Sequence, residues 1–589
     1  MAAGFFATGF LATGVFLDFA AVFFLAMAGQ YSTAARPSRL ALRGPWIVRN
    51  VGPLRELSRI LRQYQTPLLL GWIVLVHLVV TVFWLRRDWF EPLRTPDTFA
   101  HYVALTRLVA DADVNGGWAL LHALRDQSSH YSAFAHLPLA VAGLLFQATP
   151  FVYRVANVFY VVVLLVGVYL LGRRCHGRQA GLIAAALVTL TPAVYGGWRT
   201  TGLDFPALAL TPLAILFLLR SEGLARKRDA ALFGLFAGFA LLCKTQALLF
   251  LFWPGAYVLG RSVVEARRER RSLRPVLLGA AVAVAVLAAS TSLYWAGRLG
   301  FLFDALRIHA TGEGMYFYEG DTSLLGGVVH YALCLPLLLS GVLTVALIAL
   351  LPAFFRASRD RWVILIWIFV PIALHILLKV RHHRYLFPLV PGVAVVLGVG
   401  LASLRPRLRG VATAVVGTGA MVLWLACSFG SGNEADATHS RLLSVVRRWN
   451  IVVPKDIPLP QLPTSLGGYV FTCGGCQYSG LPSERSDQYP AARSFARWIG
   501  QRHPRGAGVL LFYGGDLRIE PLMVATQSLL PASRLVMAET IHEMDRFLGR
   551  PGWTVYYFAK GRLPFEIPGA RPLVRVAGVD LWRVPEEAL

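Results

Sequence analysis

Three carboxylates, Asp88, Glu91 and Asp97, fall within residues 85–102, directly after an apolar run that ends near Leu85. Carboxylates just outside a hydrophobic segment are cheap to solvate and close enough to a lipid head group to act on it, so this stretch reads as the mouth of a site, with Asp97 as its candidate base. Further along, Lys244 stands between two apolar runs, where an ammonium needs an anionic partner or must snorkel to the interface. Arg381, His382, His383, Arg384 and Tyr385 make a short turn suited either to a phosphate or to anchoring a helix end among head groups. Asp204 opens an apolar run, where it would cap a helix N-terminus or join the site, and Arg199 is its expected pairing partner.

These residues need a membrane-embedded scaffold to position them. The chain has 589 residues, is 56% apolar and only 15% charged, with a mean hydropathy of +0.56. A soluble protein of this size does not have that composition. The net charge of +25 is carried largely by arginines between apolar runs, which membrane topology requires, so nucleic-acid binding is not expected. Residues 2–29 are apolar apart from Asp18 and read as an extra span, an uncleaved anchor or an upstream extension. Residues 36–62 carry seven arginines and read as a basic cytoplasmic stretch, so residues 1–66 form an N-terminal segment. The first clear span runs from about Pro67 to Leu85, which puts Asp97 and the first loop, 86–151, outside.

Spans of about 20 apolar residues are expected near 152–171, 180–197, 204–220, 275–296, 328–355, 362–380, 385–403 and 410–428. The run over 230–260 is too long for one crossing and must turn near Lys244, because the basic segments on either side of it belong on the same face. Placing every strongly basic loop inside gives about 11 to 12 transmembrane helices. The turn Gly196–Phe205, the loop Gly297–Gly327 and the turn Arg381–Tyr385 then share the outer face with Asp97. Such a gathering of polar side chains suits an enzyme at the outer leaflet better than a channel or an anchor.

The acidic residue after the first span, the sequence GWRTTGLDFP at 197–206, GLFAGFALLCKT at 234–245 and RHHRYLFPLVP at 381–391 together resemble the GT-C superfamily. The nearest likeness is to family 39, which includes protein O-mannosyltransferases and lipid A aminoarabinose transferases, and it covers roughly 67–430. The resemblance implies a GT-C-like polytopic α-helical domain that uses a polyprenyl-phosphate-linked sugar donor at the extracytoplasmic face of the plasma (inner) membrane. It implies that Asp97 takes the acceptor proton and that Lys244, Arg381, Arg384 and Tyr385 hold the donor phosphate. The acceptor is a lipid, a glycan or a protein. Glu91, His136, Arg199, Asp204, His309 and Glu313 are substrate-binding candidates. Family members often place Glu directly after the loop Asp, whereas Thr98 follows Asp97 here, so a divalent metal ion is an open cofactor. Glu91, Asp97 and His309 are its candidate ligands, and Asp88, His136, Glu313 and Glu319 could contribute. Rival readings are a polymerase or ligase of polyprenyl-linked glycans, or a lipid-linked-sugar flippase. The flippase fits less well because no internal repeat is evident and the polar groups collect at one face.

Asp111-Ala-Asp113 resembles the acidic triplet of sugar transferases, but it reads more simply as the solvated face of a helix ending at Asn115-Gly116-Gly117. Apolar spans cease near Ser431, and 431–589 reads as a soluble α/β domain on the outer face. Its strands are expected at 509–513, 535–537 and 554–558, followed by two short ones, with helices near 490–502, 519–529 and 540–549. Cys473 and Cys476 are expected to form a local disulfide in an oxidising compartment.

Overall fold

The computed structural model describes residues 52–88, 96–126, 132–146, 149–296, 298–311, 323–379 and 383–429, together with short stretches between 494 and 584. Eighteen α-helices lie in the described part up to residue 429. They are α1 (Gly52–Asp88), α2 (Pro96–Asn115), α3 (Trp118–Asp126), α4 (Leu137–Leu145), α5 (Pro150–Ala156), α6 (Val158–His176), α7 (Arg178–Thr189), α8 (Pro192–Trp198) and α9 (Asp204–Arg220). They continue with α10 (Lys227–Cys243), α11 (Ala247–Arg268), α12 (Arg274–Trp295), α13 (Leu299–Thr311), α14 (Leu324–Leu339), α15 (Gly341–Ala357), α16 (Arg361–Leu377), α17 (Val390–Ser403) and α18 (Pro406–Phe429). Two 3₁₀ turns, Ala133–His136 and His383–Leu389, lead into α4 and α17.

Among the described residues, six helical stretches are long and apolar enough to cross a membrane, or up to eight if each of two bent pairs is one span. The protein is a polytopic helical membrane protein. Helices α9, α10 and α16 have 17 residues each, the short end of what crosses a bilayer. The apolar run 328–355 does not form one continuous span: it breaks into α14 and α15 at Ser340, whose φ of 78° no regular helix accommodates. The region around Asp97 likewise differs from a loop. Helix α2 begins at Pro96, where a proline costs no helical hydrogen bond, and places Asp97 in the first turn, where a negative charge is favoured. The helix stops at Asn115, and Gly116 takes the left-handed conformation (φ 78°) that ends it, as the sequence suggests.

Helix α17 is the centre of the bundle, buried along nearly its whole length among α6, α7, α9 and α15. Its composition, Val-Pro-Gly-Val-Ala-Val-Val-Leu-Gly-Val-Gly, is apolar all round, as a helix enclosed by others must be. Small residues set the approach. A Cβ added at Gly398 would lie 2.5 Å from the Ala180 carbonyl oxygen and 2.7 Å from the Ala184 Cβ. One added at Gly181 would lie 2.4 Å from the Tyr169 carbonyl oxygen, where α6 and α7 cross. Close backbone contact between small residues is how helices pack where lipid offers no hydrophobic drive.

The basic ends of several helices meet. The Arg174 guanidinium donates to the Leu219 carbonyl at 2.9 Å, at the carbonyl-rich end of α9, and lies 3.6 Å from Asp360 at the start of α16. Arg220 pairs with Asp229 at 3.2 Å across the α9–α10 turn.

The C-terminal part contributes a five-stranded sheet in the order β2-β1-β3-β5-β4. The strands are β1 (Gly508–Phe512), β2 (Leu535–Ala538), β3 (Trp553–Ala559), β4 (Arg571–Val576) and β5 (Val579–Val584). β1 pairs in parallel with β2 and β3, and β5 runs antiparallel to β3 and β4. Strand β2 lies alongside α2. The strand expectations at 509–513, 535–537 and 554–558 fall on β1, β2 and β3, whereas the helices near 519–529 and 540–549 and the Cys473–Cys476 pair lie outside the described residues.

The packing at Gly398 gives a direct test. Gly398→Val must push α7 and α17 apart, and it is expected to lower stability by about 1–3 kcal/mol, read as a drop in detergent melting temperature. Gly260→Ala on α11, where an added Cβ meets nothing within 4 Å, serves as the control and should leave the melt unchanged.

Candidate functional site

The long apolar run between 230 and 260 breaks where the sequence places a lysine. Helix α10 ends at Cys243, Lys244 turns extended (φ −155°, ψ 126°), and α11 starts three residues later. The Lys244 backbone N–H still donates to the Ala240 carbonyl at 2.9 Å, so the break leaves that donor satisfied. Its ammonium, largely buried, forms an ion pair with Asp204, the first residue of α9. Asp204 therefore has two favourable neighbours, a cation and the positive end of a helix. The Tyr385 ring centroid lies 5.6 Å from the Lys244 Nζ, and the Tyr385 ring is 6.1 Å from that of His375. His375 donates from Nδ1 to the Pro371 carbonyl at 2.7 Å, since a carbonyl oxygen only accepts, and its ring stands 6.0 Å from Tyr331. Arg384, half-buried, precedes Tyr385 in the same 3₁₀ turn.

The turn that delivers Asp204 is clamped from behind. Asn157, between α5 and α6, donates from its side-chain amide to the carbonyls of Trp198 at 2.9 Å and Thr200 at 2.6 Å. The Trp198 indole N–H donates to the Arg154 carbonyl at 3.0 Å. Arg199 does not pair with Asp204 as expected. Its guanidinium donates to the Ser428 hydroxyl at 2.6 Å and sits over Trp84 (4.7 Å) and Tyr195 (5.3 Å), tying the end of α8 to α1 and α18. Asp204 is instead taken by Lys244, since a buried ammonium this close is the stronger claim on the carboxylate.

Asp97 occupies the second position of α2, and one helical turn on is His101, on the same face by register. The His101 ring centroid lies 5.3 Å from that of His136, and both residues are buried. Burial, and then the nearby His101, lowers the His136 pKa to about 3, so this imidazole is neutral at physiological pH. The Ala133–His136 turn rests against the C-terminal end of α10: Phe134 stacks on Phe239 with centroids 4.7 Å apart, and the Tyr160 hydroxyl donates to the Ala135 carbonyl at 2.9 Å. The turn carrying His136 and the ion pair of Lys244 thus flank the same helix end.

Of the residues singled out in the sequence, the structure brings Asp204, Lys244 and Tyr385 together, with Arg384 on the same turn, and sets His136 beside His101. Glu91, Glu313, Glu319 and Arg381 lie outside the described residues, as do the side chains of Asp88, Asp97 and His309. Among the described residues, no group of three His, Cys, Asp or Glu side chains gathers as a metal site. Asp111 accepts from the Asn115 amide at 3.3 Å at the exposed end of α2, which supports the helix-face reading of the acidic triplet. Sequence reading missed His101, Tyr331 and His375. The first had a signal in the Pro96-Asp97 helix start, which puts position 101 one turn after the carboxylate. The other two are single polar residues inside apolar runs, which the fold alone brings to Tyr385.

Breaking the buried pair tests this geometry. Lys244→Met leaves Asp204 without its cation and is expected to cost about 3–5 kcal/mol, while Lys244→Met combined with Asp204→Leu should recover much of that loss. Thermal melts of the four proteins form the cycle that checks it.

Residues 134–295 match the family model for dolichyl-phosphate-mannose-protein mannosyltransferase. That stretch carries His136, Arg199, Asp204 and Lys244. No curated protein matches the chain. Among solved structures, the fold is similar to that of ArnT from Cupriavidus metallidurans in the apo state, at 16% identity over 88% of this chain and 98% of that one, with a TM-score of 0.50. The structure of that protein bound to undecaprenyl phosphate gives 16% identity over 87% and 98%, with a TM-score of 0.48. The archaeal oligosaccharyltransferase AglB from Archaeoglobus fulgidus, in complex with an inhibitory peptide and a dolichol-phosphate, gives 12% identity over 80% and 65%, with a TM-score of 0.39. The likeness to ArnT shows a shared polytopic fold over most of the chain, and the family-model match is confined to residues 134–295.

Proposed function

We propose that the protein transfers one sugar from a polyprenyl-phosphate-linked donor to a lipid, glycan or protein acceptor at the extracytoplasmic face of the plasma (inner) membrane. The observation that carries this reading is the end of α10, where the Lys244–Asp204 pair and Tyr385 lie on one side and the turn that packs on the Asp97 helix lies on the other. A donor phosphate has a ready cation in Lys244, whose partner is a carboxylate that the α9 N-terminus also stabilises. The match to a dolichyl-phosphate-mannose-dependent family supports a donor of that chemical class.

In this reading the acceptor oxygen attacks the anomeric carbon as the bond from that carbon to the phosphate oxygen breaks. Asp97 takes the acceptor proton, and the departing phosphate keeps the electron pair and gains negative charge, which Lys244, Arg384 and Arg381 stabilise. Tyr385 positions the phosphate beside Lys244. His309 and Glu313 are assigned to the substrate side of the adjoining loop, and Glu91 to the approach to Asp97. The strand β2, which lies along α2, is assigned to the acceptor side of the site. No step in this scheme is routed through a metal ion.

Transfer of radiolabelled sugar from a panel of polyprenyl-phosphate donors, with membrane extract as acceptor, tests the proposal. Wild-type protein should transfer label, and Asp97→Asn should lower the rate by about 10²–10⁴. Equal rates in the two would remove Asp97 from the base role. Donor binding without any transfer by the wild type would favour a flippase.

A further inference from the structure

The transfer chemistry leaves unused the end of α11 that lies away from Lys244. With 22 residues, α11 carries that end about 33 Å from the break at Lys244. The α9–α10 turn packs there on two helices: a Cβ on Gly223 would meet the Ser262 hydroxyl of α11, and a Cβ on Gly279 of α12 would meet the Leu224 carbonyl. Residues 220–229 and 261–274, which form this turn, the α11–α12 turn and the helix ends beside them, carry ten Lys and Arg against four Asp and Glu. All four acids already have partners, Glu222 in Arg226, Asp229 in Arg220, Glu265 in Arg261 and Glu269 in Arg271. Lys227, Arg228, Arg267, Arg268, Arg270 and Arg274 are exposed and have no acidic partner among the described residues. Two of them stand where their charge is disfavoured, since Lys227 and Arg274 open α10 and α12 at positive helix ends. Arg270 holds a φ of 54°, a left-handed conformation that glycine adopts more cheaply. Like charges held together on packed turns repel one another unless an outside anion joins them.

The surroundings of these cations select a lipid. Helices α11 and α12 are both 22 residues long and apolar enough to cross a membrane. About 33 Å of helix matches a hydrocarbon layer of about 30 Å, which sets their shared basic end at the level of the head groups. Val264 lies one turn before Arg267 and Arg268, Leu277 and Leu278 lie one turn after Arg274, and all three are exposed. Exposed apolar side chains one turn from the cations suit acyl chains beneath a charged head group better than they suit an aqueous acidic protein. We propose that the α11–α12 turn binds an anionic diacyl phospholipid, with its phosphate at Arg267, Arg268, Arg270 and Arg274 and its acyl chains against Val264, Leu277 and Leu278. Lys227 and Arg228 add to the attraction from the start of α10. The site goes beyond the transferase reading and stands without it, because it lies at the opposite end of α11 from Lys244.

The test uses the full chain in detergent, stripped of co-purifying lipid. Phosphatidylglycerol or phosphatidylcholine is added, with binding read by native mass spectrometry and stability by melting temperature. The wild type should retain phosphatidylglycerol in preference to phosphatidylcholine, and phosphatidylglycerol alone should raise its melting temperature. A combined Arg267→Gln, Arg268→Gln, Arg270→Gln, Arg274→Gln variant should bind phosphatidylglycerol about 100-fold or more weakly. A variant with the same loss of charge elsewhere, Arg356→Gln, Arg359→Gln, Arg405→Gln, Arg407→Gln, should bind as the wild type does. Should the first variant fail to fold, a structure of the wild type in phosphatidylglycerol nanodiscs decides: lipid phosphate density at the α11–α12 turn supports the site, and a turn without it overturns it. No preference in the wild type, unchanged binding in the first variant, or equal weakening in both variants also overturns it. So does an equal rise in melting temperature with inorganic phosphate or with polyglutamate, which stand for a free anion and for an acidic protein.

Discussion

A buried ammonium must be paired, and the Lys244–Asp204 ion pair is the constraint on which the arrangement of the site depends. Within a low-dielectric bundle an unpaired lysine is far more expensive than a broken helix. The apolar run therefore breaks at Lys244, and α9 begins at Asp204, where the carboxylate gains from both the cation and the helix end. Once these two ends are fixed together, Tyr385 and the turn ahead of α17 fall beside them. The pair thus holds a cation where the ends of α9 and α10 meet the turn ahead of α17.

The rest of the bundle keeps that geometry rigid. Glycines at 181 and 398 let α6, α7 and α17 approach at backbone distance, so the central helices cannot slide without steric collision. Asn157 spends its amide on two backbone carbonyls of the 198–200 turn, and Arg199 bridges three helices through Ser428, Trp84 and Tyr195. These buried polar links act at a distance from the proposed chemistry. Their work is to hold the short segment from Trp198 to Asp204, which has no packing stripe of its own, in one place.

Much of this was legible in the sequence because membrane insertion imposes strong rules. Apolar length located the long helices around Pro67–Leu85, 152–171, 275–296 and 385–403, the basic segments located the break at Lys244, and the Asn115-Gly116-Gly117 stop gave the end of α2. What was not legible follows from physics that a linear pattern does not encode. Arg199 and Asp204 are five residues apart and opposite in charge, but helix packing sends the first to Ser428 and the second to Lys244. Ser340 splits an unbroken apolar run through a backbone conformation that hydropathy does not register. His375 and Tyr331 sit in separate helices and meet only in three dimensions. The start of α2 at Pro96 was readable, and reading 86–151 as the first loop concealed the one-turn relation of Asp97 to His101.

The central claim is that the end of α10 receives the phosphate of a lipid-linked sugar. It is tested most directly by an experimental structure of the protein with added polyprenyl phosphate. The account predicts phosphate density within hydrogen-bonding distance of the Lys244 Nζ, close to Arg384 and Tyr385, with the prenyl chain leaving between helices towards lipid. Phosphate density away from this helix end, with the Lys244–Asp204 pair undisturbed, would contradict it.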